Sequence, residues 1–118
     1  MRTLIQSGSI AALLLLSFQA HAELPNFTAG QPYQEVKAEL IKQGWQPVKN
    51  MKIGNTSLYA QEVYQQGMEE VVDCVSMELD GCWFKYKKGK QVLEIKTITK
   101  ELKFDSLKPS LGNLDRHI

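Results

Sequence analysis

Two cysteines and three carboxylates crowd into one short stretch of this chain: Asp73, Cys74, Glu78, Asp80 and Cys82. Cys74 and Cys82 are its only cysteines. Left free, such thiols serve as nucleophiles, redox centres or metal ligands. Zinc normally takes four ligands, however, and the two histidines, His21 and His117, lie near opposite ends of the chain. A redox pair is more typically Cys-x-x-Cys at a helix start, whereas these cysteines are further apart and their surroundings read as strand. A disulfide is therefore the expected state. Closing so short a loop stabilises the fold by about 2–3 kcal/mol through the entropy of the unfolded chain. Asp73, Glu78 and Asp80 are the residues that carboxylate-dependent hydrolysis would use, but a turn is also where acidic side chains meet water. A Ser-His-Asp or Cys-His arrangement needs a histidine beside its nucleophile, and neither histidine is so placed. Calcium-loop spacing and a glycine-rich phosphate loop are both missing. The expectation is a non-enzyme that uses no metal and no cofactor.

The first residues say where such cysteines would be oxidised. Met1-Arg2 is positively charged, and Ile10–Phe18 is an uncharged, mostly apolar run of nine residues. A membrane-spanning helix needs about 20, so residues 1–22 read as an export signal. Ala20 and Ala22 supply the small residues before the cut, and Glu23 the new N-terminus. The mature chain is then periplasmic or secreted, where disulfides persist. Lys and Arg number 14 against 13 Asp and Glu, and Arg2 is the only charge in the signal. The remainder is neutral, without the global basic field that recruits nucleic acid, and has no further apolar run of membrane-spanning length.

The elements that must position these groups follow from periodicity. Tyr33, Val36, Leu40 and Ile41 share one helical face; Pro32 suits the first helical position and Gly44 the left-handed residue after the end. The spacing predicts a helix over 32–43. Trp45-Gln46-Pro47-Val48 reads as a short edge strand or an extended connector, since Pro47 cannot donate to a ladder. Thr56 or Ser57 caps a second helix that runs to about Gln66, with Gly67 closing it. From Glu69 the period becomes two. Val71–Ser76, Cys82–Lys87 and Gln91–Thr99 form a three-stranded meander, in which pairing around Glu78 brings Cys74 opposite Cys82. The fold class is α+β: one or two helices packed on a small antiparallel sheet, with one disulfide. Residues 23–100 form a single domain, and 101–118, polar and carrying Pro109 and Gly112, a loosely ordered tail.

Charge is unevenly spread. Residues 61–80 carry Glu62, Glu69, Glu70, Asp73, Glu78 and Asp80 with no Lys or Arg, whereas 85–108 are rich in lysine. Trp83, Lys85 and Lys87 share a strand face opposite Cys82, Phe84 and Tyr86, and form a candidate partner surface. Two alternatives stay open: acidic and basic strands pair across the sheet, or Trp83 packs beneath the tail or second helix. Trp45, next to the first helix, is a core candidate.

Gly30-Gln31-Pro32-Tyr33, Leu40-Ile41 and Gly44-Trp45-Gln46-Pro47, together with Cys74, Cys82 and Phe84, resemble a pattern in small uncharacterised bacterial exported proteins. The helix followed by Gly-Trp-x-Pro-Val is also similar to the PASTA modules of cell-wall-sensing proteins. The first resemblance covers residues 24–100 and implies a secreted α+β domain with one disulfide, but no activity. The leading expectation is a non-enzymatic binding module whose partner is an envelope protein or cell-wall component. The alternative is an inhibitor or immunity protein against a hydrolase such as lysozyme; a carboxylate-dependent wall hydrolase comes third.

Overall fold

Helix α1, Tyr33–Lys42, buries Tyr33, Val36 and Leu40 and exposes its charged side. It opens one residue later than the periodicity predicts, because Pro32 is extended and forms a bridge to Lys103. Its end is built by Gly44, at φ +97°. There the Gly44 N–H bonds to the Ile41 carbonyl and the Trp45 N–H to that of Leu40, the reversal that glycine permits at the residue after a helix. That reversal turns Trp45 into the core, where it is buried. Helix α2, Leu58–Gln65, ends the same way: Gly67 bonds to Tyr64, Met68 bonds to Val63, and Met68 is buried. Ser57 caps its start, its Oγ accepting from the Ala60 N–H at 3.1 Å.

The structure, a computed structural model, describes residues 24–76 and 80–110. The expected signal at 1–22, the cleavage residues Ala20, Ala22 and Glu23, the candidate Glu78, and 111–118 with His117 lie outside the described residues.

Among the described residues, five antiparallel strands form one sheet: β1 Gln46–Pro47, β2 Val71–Val75, β3 Gly81–Lys88, β4 Gln91–Ile98 and β5 Lys103–Ser110. The centre is a meander, β3 against β4 and β4 against β5. β1 and β2 lie end to end along the other edge of β3. β2 takes Gly81–Phe84 and β1 takes Tyr86 and Lys87. Cys74 stands directly opposite Cys82 and the two are joined as a disulfide.

The expected loose tail beginning at residue 101 is corrected over 103–110, which form β5. Phe104 is buried, and Leu107 packs against the core. These residues are three apart, which breaks the period of two by which strands are recognised. A bulge supplies the extra residue: Phe104 faces Thr97 and Leu107 faces Ile95, so three steps on β5 match two on β4. β2 does likewise, with Val71 opposite Phe84 and Asp73 opposite Trp83.

Both helices send their buried residues to one face of the sheet. The core joins Val36, Leu40, Trp45, Ala60 and Val63 to Val71, Cys82, Phe84, Leu93, Ile95 and Phe104. Burial alternates cleanly along β3 and β4, as expected of a sheet with one covered and one wet face.

Candidate functional site

The disulfide lies inside the core, both cysteines buried, which makes it a structural staple. Asp73 beside it is engaged in holding α2 and β2 together. Its Oδ1 accepts the Ser57 N–H at 3.2 Å and the Cys74 N–H at 2.8 Å, while the Ser57 hydroxyl donates to the Cys74 carbonyl. Among the described residues, no three His, Cys, Asp or Glu side chains gather closely enough to hold a metal ion.

A polar cluster inside the core was not legible in the sequence. Glu70 is only 2% exposed. The Tyr33 hydroxyl donates to its Oε2 at 2.5 Å. With that proton engaged, the Tyr33 oxygen accepts from the Tyr86 hydroxyl, also at 2.5 Å. Lys37, on the rim, reaches both carboxylate oxygens at 3.1 and 3.2 Å. The Tyr33 ring also stacks on Phe84, with centroids 3.9 Å apart. Glu70 reads in sequence as one more member of an acidic run. The only pointer to it was that Tyr33 and Tyr86 fall on core faces, where a hydroxyl requires a partner.

Burial makes the Tyr33 phenolate so unfavourable that its hydroxyl stays protonated far above the ordinary tyrosine range, and the nearby Tyr86 and Glu70 push the same way. Tyr86 is also raised, again chiefly by burial; its bond with Tyr33 offsets part of this and Glu70 adds to it. A raised folded-state pKa means that the folded chain keeps protons the unfolded chain loses. The contribution is therefore complete below about pH 10, the unfolded tyrosine value, and is lost as pH climbs beyond it. Stability should fall by about 1.4 kcal/mol per buried tyrosine per pH unit in that range. In a spectrophotometric titration, these two of the four tyrosines should ionise only with unfolding. Smooth ionisation of all four in the folded protein would contradict the cluster.

The opposite face of the sheet carries the residues singled out as a partner surface. Trp83 is half-buried there and Lys87 is exposed, with Lys85 between them. Trp83 pairs with Lys96 on β4, whose Nζ lies 5.7 Å from the ring centroid. Lys85 stands opposite Glu94, and Glu94 opposite Lys108. Cross-strand neutralisation goes no further than this. Among the described residues the ion pairs are Lys37–Glu70 and Glu94–Lys108, the latter at a loose 4.0 Å. Among the described residues, no carboxylate of 61–80 forms an ion pair with a lysine of 85–108. Lys88 is different, since its ammonium donates to the Gln43 carbonyl at 2.6 Å and lies over the Trp45 ring, closing the end of α1.

Beside this face, where β1 and β2 part, is a cleft of about 410 Å³. Lys85 sits at the parting: its carbonyl accepts from the Val48 N–H, and its own N–H donates to the Glu70 carbonyl. The loop after β1 is fastened there by Asn50, whose side-chain amide donates to the carbonyls of Val71 and Val72 and whose Oδ1 accepts the Lys52 N–H. No helix among the described residues is long and apolar enough to cross a membrane. Comparison with protein-family models, curated proteins and solved structures finds no match to this chain.

Proposed function

We propose that this chain is a non-enzymatic interaction module of the bacterial envelope, periplasmic or secreted after removal of residues 1–22. Its outer sheet face receives an acidic patch on an envelope protein. The observation that carries the reading is the uncovered face of the sheet, where Trp83 is flanked by Lys85, Lys87 and Lys96, with Glu94 among them and Asp73 opposite Trp83 already accepting the Ser57 and Cys74 N–H groups. Tryptophan combines a large contact area with low entropic cost and is enriched among residues that dominate binding energy. Surrounding ammonium groups steer an acidic partner and fix its orientation. Export is supported by the disulfide, which is uncommon in reducing compartments, and by the expected signal.

The test places a photoreactive residue at Lys87, on the outer face, or at Glu62, exposed on α2, in cells making the full chain. One discrete protein adduct is expected from position 87 and none from position 62. The adduct should disappear when Lys85→Glu is added. Equal adducts from both positions, or none from position 87, would refute the assignment.

A further inference from the structure

We infer that the cleft between β1 and β2, which shares Lys85 with the outer face, is a second site for a small amphiphilic anion, a phosphate or carboxylate head on a short apolar chain. The cleft joins two kinds of lining. Val48, Val72 and the thioether of Met51 supply apolar surface, while Lys49, Lys52 and Lys85 supply ammonium groups. None of the three lysines makes an ion pair among the described residues. Glu70 also borders the cleft, but its carboxylate is already engaged by Lys37 and Tyr33. The net electrostatic demand of the cleft is therefore for an anion.

Two further features favour a ligand over a merely solvated notch. The size falls within the roughly 300–1,000 Å³ of small-molecule sites. The rim is also preorganised, because the Asn50 side chain ties the loop to β2 through two hydrogen bonds, accepts the Lys52 N–H within the loop, and the Asn50 N–H donates to the Glu69 carbonyl. Ordering the loop then costs little on binding. Met51 is 81% exposed at the cleft and leaves its thioether open to a ligand. An adaptable thioether suits an apolar chain of unspecified shape. The head would take charge-assisted bonds from the lysines, and the chain would cover Val48, Val72 and Met51.

Amide chemical shifts of the disulfide-intact domain, titrated with hexyl phosphate, test this directly. Saturable shifts confined to residues 48–52, 70–72 and 85 are expected. Hexanoate should shift the same amides, while inorganic phosphate should bind at least about tenfold more weakly, since each buried methylene contributes about 0.8 kcal/mol. The double variant Lys49→Ala/Lys52→Ala, at two exposed positions, should weaken hexyl phosphate by about tenfold. These lysines lie outside the Trp83 face, so this outcome is independent of the partner proposed above. Any of four results would overturn the site. They are shifts spread over Lys87, Lys90 and Lys103, equal binding of inorganic phosphate, equal binding of hexanol, or a double variant that binds as the parent does.

Discussion

Replacing Glu70 with alanine should lower the unfolding free energy by about 3 kcal/mol, at the lower end of the 3–5 kcal/mol typical of breaking a buried pair. Glu70 is 2% exposed and accepts from Tyr33 while paired to Lys37. Its loss strands the Lys37 ammonium beside the core. The loss is limited because the Lys37 side chain is 20% exposed and can turn to water, and because Tyr33 and Tyr86 still hold one another. A domain of this size has only about 5–15 kcal/mol in total, so the midpoint should fall by roughly 10–20 °C. Glu70→Gln, which keeps the shape and one acceptor, should cost less than Glu70→Ala. A double-mutant cycle with Lys37→Met separates the pair from the hydroxyl bonds. If Glu70→Ala costs under about 1 kcal/mol, where surface substitutions fall, the cluster does not hold the core together.

The second large effect is that of the disulfide. Changing both Cys74 and Cys82 to alanine should cost about 2–3 kcal/mol from loop-closure entropy. A further loss follows because both side chains are buried and leave space behind. The damage should be local at first. β2 is held to β3 by this bond and by pairing along one short stretch, so amide exchange in Val71–Val75 should quicken before that in β4, which is paired on both sides. Equal protection of β2 and β4 in the double variant would show that the bond is dispensable.

These two effects differ in how far the sequence announced them. Cys74 and Cys82 were readable as a pair because only two cysteines exist and strand periodicity placed them opposite one another. Ser57, Gly44 and Gly67 marked helix ends through local backbone chemistry, which acts over four residues. β5 was missed because Phe104 and Leu107 are three apart, and the bulge that reconciles them exists only against β4. Pro32 was displaced by one position because its extended conformation is tied to Lys103, 71 positions later in the chain. Glu70 was unreadable for the same reason: its partners Tyr33 and Lys37 stand on α1, and Tyr86, bonded to Tyr33, on β3. The outer face fared better, since alternation along β3 already separated Trp83, Lys85 and Lys87 from Cys82, Phe84 and Tyr86. The cleft depends on where two strands diverge from a third, which no local pattern encodes.

Under the proposed function, labour divides across the sheet, one face holding the fold and the other receiving the partner. Trp83 and Phe84 are neighbours in the chain that lie on opposite faces, so a matched pair of substitutions tests it most directly. Unfolding free energy and the adduct from position 87 are measured for Trp83→Ala and for Phe84→Ala. Phe84→Ala should cost about 3–5 kcal/mol. Trp83→Ala should cost about 1 kcal/mol or less, as surface changes do, yet abolish the adduct. A Trp83→Ala protein as destabilised as Phe84→Ala, or one that keeps its adduct, would rule out that division.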